Sequence, residues 1–457
     1  MKAKKIWITI AVLCFTSVAV FGGIYYYISS TVKKYDSVFY PTVKVESVNL
    51  TEKTKKEARV ELETVANKLD QTKVVVKVNK KEYKTNLRKL GVTYNTEEVL
   101  STAFQYGKNA ELLDRFNTIR KPIEKNYEIE YKIDDKLLND FVKRIDKDQK
   151  NPPKNATIRI INGQSIITDD VMGYKLNKKY VLEQLKKALD GKNTEEIVIK
   201  GKLSEVTADV TKEDLNTVTT KIGSFSTNYS QNDPGRNKNI EISTDYIDSF
   251  LLMPGESFSF NNHVGDTTAD KGYELAGSYL DGQIVASYGG GICQVSTTLY
   301  NAIITAGIRP DIRLNHSMTV GYVPIGHDAV IAYGYKDLKF TNPYDSPVYI
   351  EGIAGGGKVT FNVYSSKDSK PSNTTYNLSS EVLETIKPQT VEEKNSKLAP
   401  GTKRVIKPGA NGYKSVTYLE TRVNGKLTKK EVISRDTYAP KNQLVEVGPK
   451  KTTTASN

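Results

Sequence analysis

The sequence predicts an α+β fold class, arranged as a membrane-anchored multidomain ectodomain. Three observations predict this: an uncharged apolar run at residues 6–28, a strand–strand–helix pattern that occurs twice between residues 73 and 192, and a Gly-rich centre that precedes a β-patterned tail. The 457 residues correspond to about three domains of ordinary size. We therefore expect two ββα-type modules, then an α+β domain with a Cys at a helix N-terminus, then a β-rich C-terminal module.

The composition restricts the partners and cofactors. Lys and Arg number 66 against 53 Asp and Glu, and this formal net charge of +13 favours an anionic partner such as nucleic acid, acidic lipid or a wall polymer. Two Cys exclude a disulfide framework and a four-Cys zinc site, and three His leave little room for a His-rich metal centre. The sequence therefore predicts neither a metal nor an organic cofactor.

The N-terminal segment, residues 1–34, is predicted to be a cytoplasmic tip and a transmembrane anchor. Residues 6–28 hold 23 uncharged residues, enough to cross a ~30 Å hydrocarbon core. Three Lys precede the run, which keeps that end cytoplasmic. A cleaved signal peptide is the alternative, but the run is long for one and no small-x-small site follows it. The ectodomain would then face the cell wall from a single-pass anchor, which removes nucleic acid as a partner.

Residues 35–203 are predicted to form two related modules. Residues 73–108 and 156–192 each show alternating β-branched residues, a turn, a second strand, a Gly and an amphipathic helix. The turns are Asn79-Lys80 and Asn162-Gly163, and an offset of 82 aligns the following pairs: Gly91 with Gly173, Asn95 with Asn177, and Val99 with Val181. The break Asn151-Pro152-Pro153 lies between the copies.

The remaining chain divides into a Gly-rich centre and a β-rich tail. Residues 222–353 contain all three His and the one Cys outside the apolar run. A strand and a Ser/Asn/Thr-rich linker at 365–380 are expected next. Residues 385–448 read as a β-rich module, and residues 449–457 as a disordered tail.

Cys293 is the strongest candidate for chemistry. Gly289, Gly290 and Gly291 precede it directly, apolar residues at helical spacing follow it, and Gly307 is a C-terminal stop. We expect Cys293 at the N-terminus of a largely buried helix, where unpaired N–H groups and the macrodipole favour a thiolate. The glycines allow close approach of a substrate and donors to an oxyanion. An inert core Cys is the alternative, and the glycines, the helix start and the nearby His argue against it.

A thiol nucleophile needs a base, and two His are candidates. His316 and His327 both follow the helix of Cys293, and we expect a strand at 312–323 to return His316 to the helix start. Asp328 could orient a His or simply cap a turn. His263 flanks a predicted turn and is interpreted as structural. A Cys-plus-His metal site would need more ligands than this pattern offers.

Three segments together resemble the VanW domain. They are GGGICQVSTTLYNA at 289–302, LLMPGESFSFNNHVGDTTADKGY at 251–273 and NHSMTVGYVPIGHDAVIAYGYKDLKFTNP at 315–343. The two upstream modules resemble the peptidoglycan-binding repeat that precedes many VanW domains. Residues 385–448 resemble the five-glycine extracellular module, with these candidate glycines: Gly401, Gly409, Gly412, Gly425 and Gly448.

The resemblance implies a cell-wall L,D-transpeptidase that forms 3–3 peptidoglycan cross-links through a Cys thioester. It carries the nucleophile over to Cys293 and the base to His316 in the NHS segment. His327 stands where the family more often has Arg in a GRDA run, so it departs from the pattern, whereas Asp328 fits it. The chain lacks the His-Gly-Cys motif of the better-known L,D-transpeptidases.

Substrate contacts and rival functions follow from the same interpretation. Glycines 289–291 would hold the oxyanion, and Arg309 or Arg313 a stem carboxylate, with a surface Arg as the alternative for each. The expected partners are peptidoglycan stem peptides and anionic wall polymers. A non-catalytic peptidoglycan-binding envelope protein and a Cys peptidase that trims stems are the alternatives.

Overall fold

The computed structural model describes residues 1–161, 163–189, 194–280 and 283–450. Its mixture of helices and strands confirms the α+β class. Two compact units are present: the N-terminal unit, Met1–Pro153 with Met172–Thr207, and the C-terminal unit, Lys154–Val171 with Ala208–Asn457. Asn162 of the second predicted turn and residues 451–457 of the predicted disordered tail lie outside the described residues.

The first element is a long apolar helix, α1 (Lys2–Lys34). An 18-residue window of it has a mean hydropathy of 2.1, and none of that window is buried by the rest of the protein. By length and composition the helix can cross a membrane. Lys33 and Lys34 stand in its last turn, where positive charge complements the helix dipole.

The chain continues through the first half of the ectodomain in short elements. They are β1 (Val43–Val45), β2 (Val48–Asn49), α2 (Lys55–Asp70), β3 (Lys73–Val78), β4 (Lys81–Asn86), β5 (Val92–Tyr94), α3 (Thr96–Gln105), α4 (Leu112–Arg120), β6 (Lys125–Tyr127), β7 (Tyr131–Ile133), α5 (Asp135–Gln149), β8 (Thr157–Ile161), β9 (Gln164–Thr168), β10 (Gly173–Leu176), α6 (Lys178–Ala188), β11 (Ile197–Lys200) and β12 (Leu203–Val206). Helix α2 begins after Thr54, whose side chain and that of Glu57 cap each other's backbone N–H.

Both sequence copies adopt the predicted order, with a third strand before the helix: β3–β4–β5–α3 and β8–β9–β10–α6. They do not form two separate bodies. The hairpin β8–β9 belongs to the C-terminal unit, whereas β10 and α6 belong to the N-terminal unit. There β11 pairs in parallel with β3, the first strand of the first copy.

The C-terminal unit continues with the elements that position the site. They are α7 (Lys212–Asn216), β13 (Thr220–Asn228), α8 (Pro234–Ile247), β14 (Phe250–Leu252), β15 (Ser257–Ser259), α9 (Phe260–Val264), β16 (Leu275–Leu280), β17 (Gln283–Tyr288), α10 (Ile292–Thr305), β18 (Pro310–Ile312), β19 (Lys339–Thr341), β20 (Val348–Gly355) and β21 (Lys358–Ser365).

The core of this unit lies between an antiparallel sheet and two helices. The sheet order is β13-β21-β20-β14, and α8 and α10 pack on it. Val295, Leu299 and Ile303 of α10 are completely buried in that core. A Cβ on Gly223 would lie 2.5 Å from the backbone nitrogen of Ala306, so this glycine lets α10 approach β13 closely.

The hairpin β8–β9 completes a second, smaller core of the C-terminal unit. Ile158 and Ile160 of the hairpin are buried with Leu215, Tyr349 and Tyr364. The last two lie on β20 and β21, so the hairpin covers residues of the central sheet.

The C-terminal module, strands β22 to β27, is β-rich as predicted. Its strands are β22 (Thr374–Ile386), β23 (Thr390–Lys394), β24 (Lys403–Lys407), β25 (Gly412–Val423), β26 (Lys426–Tyr438) and β27 (Gln443–Val447). They form two three-stranded sheets, β22-β25-β26 and β23-β27-β24. The predicted linker at 365–380 is wrong in its second half, because Thr374 onward pairs with β25. Thr favours strands, and the polar side chains of Ser and Thr suit the exposed face of a half-exposed strand such as β22.

The predicted strand at 312–323 is also wrong. Strand β18 ends at Ile312, and the segment from Arg313 to Leu338, called here the 313–338 loop, contains no strand. Arg313, His316 and Asp328 of this loop bond to one another and to backbone groups, and these contacts replace the regular pairing of a strand.

Candidate active site

Three glycines form the entry to helix α10, and each is required by the local backbone. Gly289 has φ +77° and Gly291, the N-cap, has φ +105°, a region that strains other residues. A Cβ on Gly290 would lie 2.6 Å from the carbonyl oxygen of Ala276. The turn therefore brings the start of α10 close to strand β16.

Cys293 is the second residue of α10, as the sequence predicted, and it is half-buried. Its Sγ lies 3.5 Å from the carbonyl oxygen of Ile331. The N–H groups of Ile292 and Gln294 are used within the turn, by the carbonyls of Gly289 and Gly291. Within the described ranges, the N–H of Cys293 itself has no acceptor. One backbone donor beside the sulfur is thus free.

His316 connects this thiol to a buried carboxylate. Its Nδ1 lies 2.5 Å from Oδ2 of Asp328, and its backbone N–H donates to the same oxygen at 2.7 Å. Since a carboxylate only accepts, Nδ1 carries the hydrogen, which leaves Nε2 as the ring nitrogen available to the Cys293 side chain, with which His316 interacts. Burial opposes a charged imidazole, but the hydrogen bonds and negative charges of Asp328 and Cys293 outweigh it and raise the pKa of His316 to about 9.

Asp328 is buried and fully bonded. Its Oδ1 accepts from Tyr438 at 2.5 Å and from Nη2 of Arg313 at 3.1 Å. Burial alone would raise the pKa of this carboxyl, but the hydrogen bonds from His316 and Tyr438 and the charge of Arg313 hold it below its usual value. Asp328 therefore stays ionised beside His316.

Arg313 points into the protein and not towards a substrate. Its side chain is 5% exposed, and its Nη1 donates to both carboxylate oxygens of Asp436 at 2.7 and 2.8 Å. Nε donates to the carbonyl of Asp328 and Nη2 to that of Gly326. No donor of Arg313 is left for the stem carboxylate that the sequence assigned to it. Arg309 is exposed and pairs with Glu431 at 2.5 Å.

The other two His lie in different surroundings. Burial and the charge of Arg313 lower the pKa of His327 to about 4, against the opposing charge of Asp328. Its Nε2 is buried and has no partner in the part of the chain that the structure describes. The ring of His263 packs 4.4 Å from that of Phe250, and its Nε2 lies 2.6 Å from the carbonyl of Tyr246.

Sequence reasoning missed four residues of this region. Asp436 and Tyr438 come from β26, more than 100 residues from the loop that they contact, and no local motif marks them. Arg236 of α8 is half-buried and donates from Nη2 to Oε1 of Gln294 at 2.7 Å, next to Cys293. Tyr322 of the 313–338 loop interacts with Thr297, and burial and the charge of Cys293 raise its pKa.

Three family models match the chain in series. "Putative peptidoglycan binding domain" matches residues 83–198, "VanW like protein" residues 235–364 and "G5 domain" residues 379–450. The first match spans parts of both sequence copies. G5 is the five-glycine module, and a G5 domain structure of an IgA1 protease is 30% identical, covering 18% of this chain and 98% of its own, with a TM-score of 0.13.

Two curated relatives are each similar to part of this chain. "Uncharacterized protein YoaR" of Bacillus subtilis (strain 168) is 33% identical over 235 residues, which are 51% of this chain and 76% of that protein. "Vancomycin B-type resistance protein VanW" of Enterococcus faecalis (strain ATCC 700802 / V583) is 27% identical over 134 residues, 28% of this chain and 49% of that protein. The chain therefore belongs to the family of YoaR and VanW-like proteins, and it is a cell wall-associated protein with a peptidoglycan-binding domain, a VanW-like domain and a G5 domain in that order.

Proposed function

We propose that this protein is a membrane-anchored cell-wall L,D-transpeptidase that forms 3–3 peptidoglycan cross-links through a thioester on Cys293. The observation that carries the proposal is the series of interacting side chains from Cys293 to His316, and from His316 by a hydrogen bond to Asp328. A thiol nucleophile needs a base within hydrogen-bond reach, and that base needs a third group to fix its tautomer and orientation. The three side chains fit these roles in that order.

The electrostatics of the series favour a reactive thiol. With a pKa of about 9, His316 is protonated at neutral pH, so a positive charge stands beside the side chain of the nucleophile. The helix start adds the positive end of the α10 dipole. His316 therefore already carries, before substrate binds, the proton that a leaving amine needs.

In the first half of the reaction, the Cys293 thiolate attacks the carbonyl carbon between the third stem residue and D-Ala. The tetrahedral oxyanion accepts a hydrogen bond from the free N–H of Cys293, at the glycine turn that lets the substrate backbone approach. The C–N bond then breaks, His316 gives its proton to the departing amine of D-Ala, and a thioester remains.

In the second half, the side-chain amine of a diamino acid on another stem attacks the thioester. The now neutral His316 takes a proton from this amine, the C–S bond breaks, and the Cys293 thiolate and His316 imidazolium are restored. A thioester is reactive enough for an amine to displace it, so the exchange needs no ATP. The result is one new amide bond for the one that was broken.

Arg236 is a better candidate than Arg313 for holding a stem carboxylate. It is half-buried, packs against Gly291 and donates to Gln294, the residue after Cys293, whereas Arg313 has no free donor. A carboxylate of the donor stem would thus meet a cation on the side of the glycine turn.

Anchoring and wall binding complete the proposal. Helix α1 would hold the chain in the cell membrane as an uncleaved anchor, with the ectodomain facing the wall. The peptidoglycan-binding domain and the C-terminal module would hold glycan strands or stems. The net charge of +13 would also concentrate the protein on anionic wall polymer.

The test uses the purified full chain in detergent micelles with disaccharide-tetrapeptide muropeptides, analysed by mass spectrometry. New 3–3 dimers together with free D-Ala support the proposal. Shortened stems without dimers would instead identify a Cys peptidase, and unchanged muropeptides with retained wall binding would identify a non-catalytic binding protein.

A further inference from the structure

The C-terminal module inserts two buried side chains into the candidate active site. Asp436 is 6% exposed and Tyr438 1%, and both stand near the end of β26. We propose that the module is a working part of that site, with Asp436 and Tyr438 as positioning residues for Arg313 and Asp328. The inference deepens the proposed function and rests on its pairing of Cys293 with His316.

Backbone contacts show that the module also supports the loop that carries His316. The N–H of Ala439 donates to the carbonyl of Ser317 at 2.7 Å, and Asn315 donates from its side chain to the carbonyl of Thr437 at 3.0 Å. These bonds flank His316 on both sides. Since the 313–338 loop contains no strand, they supply support that a sheet would otherwise give.

Asp436 sets the charge balance around His316. Arg313, Asp328 and Asp436 are all buried, and one positive charge stands against two negative ones. A protonated His316 brings this cluster to neutrality. Without Asp436 the cluster would be neutral already, and Arg313 would draw more strongly on Asp328, so the imidazolium would lose part of its electrostatic support.

Tyr438 acts on the carboxylate from the other side. Its hydroxyl donates to Oδ1 of Asp328 at 2.5 Å and accepts the N–H of Gly326 at 2.9 Å. This hydrogen bond stabilises the Asp328 carboxylate most strongly when His316 is neutral, because no imidazolium then offsets the negative charge of Asp328. Removal of the hydroxyl should therefore favour the imidazolium, in the direction opposite to the loss of Asp436.

Other titratable groups around His316 come from the VanW-like domain. Cys293 and Tyr300 lie on helix α10. The 313–338 loop contributes Arg313, Tyr322, His327 and Asp328. Arg236 of α8 acts on this group through its charge, which Tyr322 feels. Among the described residues of this cluster, Asp436 is the one acidic group that the C-terminal module supplies. A change at Asp436 thus isolates the negative charge that the module contributes.

The experiment titrates the His316 imidazole by NMR in the ¹³C-His-labelled full chain in detergent micelles, without substrate. The chain has three His, so three ring signals are expected, and His→Ala variants assign them. Asp436→Asn should move the His316 midpoint from about 9 towards 6.5.

Two further variants and a control sharpen the result. The double variant Arg313→Gln/Asp436→Asn restores the net charge of the cluster and should return the midpoint towards that of the wild type. Tyr438→Phe should raise the midpoint. Glu431→Gln is the matched control, because Glu431 also lies on β26 and pairs with an Arg of the VanW-like domain, but at the exposed Arg309; it should leave the midpoint unchanged.

A folded Asp436→Asn variant with the wild-type midpoint would overturn the inference. If that variant does not fold, Tyr438→Phe decides, and a midpoint that stays or falls would count against the module. These readouts need no substrate. A chain that shows the shifts but makes no cross-links would refute the transpeptidase and leave the role of the module intact.

Discussion

Protonation of His316 should stabilise the C-terminal unit, and the size of the effect follows from its pKa. The imidazole has a pKa of about 9 in the folded chain against an ordinary value of 6.5. A shift of this size corresponds to roughly 3 kcal/mol of unfolding free energy. Because the folded pKa is the higher one, this stability is fully present below pH 6.5 and is lost as the pH rises through about 9.

The measurement is urea unfolding of the full chain in detergent micelles at pH 6, 7.5 and 9.5. Hydrogen exchange on peptides from α10 reports the C-terminal unit, whereas Trp7, the single Trp, lies in α1 and reports the anchor. The difference in unfolding free energy between wild type and His316→Gln should shrink by roughly 3 kcal/mol between the lowest and the highest pH.

His327→Gln is the matched control. The pKa of His327 is lowered to about 4, so this residue is neutral throughout the range from pH 7.5 to 9.5, and its variant should show no change there. Below pH 6.5 His327 has the opposite effect to His316. There only the unfolded chain binds a proton at His327, so the wild type should lose stability relative to His327→Gln. A His316→Gln difference that stays constant with pH, or grows towards alkaline pH, would refute the assigned charge state of His316.

The remaining predictions concern the reaction. Cys293→Ala should abolish 3–3 dimers in the muropeptide assay, while the variant should still sediment with peptidoglycan. Residual dimers would show that Cys293 is not the nucleophile. His316→Ala should cut the transpeptidation rate by ~10²–10⁴, the usual loss for a base, whereas His327→Ala should stay near wild type, with circular dichroism to exclude unfolding; the reverse order would make His327 the base. Arg236→Ala should raise KM for the donor stem more than Arg309→Ala does, because Arg309 is exposed and already paired; equal KM values would argue against a carboxylate site at Arg236.

The start of helix α10 was predictable because its determinants are local. Three glycines, apolar residues at helical spacing and a terminal glycine all lie within residues 289–307, so the sequence alone places Cys293 correctly. The order of the domains was predictable for a similar reason, since each has its own compositional pattern and motif.

The surroundings of the site were not predictable, because they depend on contacts across long stretches of chain. The sequence predicts a substrate-binding role for Arg313, but in the fold its guanidinium forms a buried ion pair with Asp436. The strand predicted at 312–323 is absent because the polar side chains of the loop find partners in one another and in β26. The Ser- and Thr-rich segment after Ser365 resembles a linker locally, and only its pairing with β25 makes part of it a strand.

The division of the second sequence copy determines where this protein can be cut. The chain passes from one compact unit to the other after residues 153, 171 and 207, so no single peptide bond separates them. A truncated chain that begins at residue 208 would lack the hairpin β8–β9 and would leave Leu215, Tyr349 and Tyr364 without their cover. Recombinant versions of the VanW-like domain should therefore begin at or before residue 154, or carry the hairpin grafted back, if they are to remain soluble.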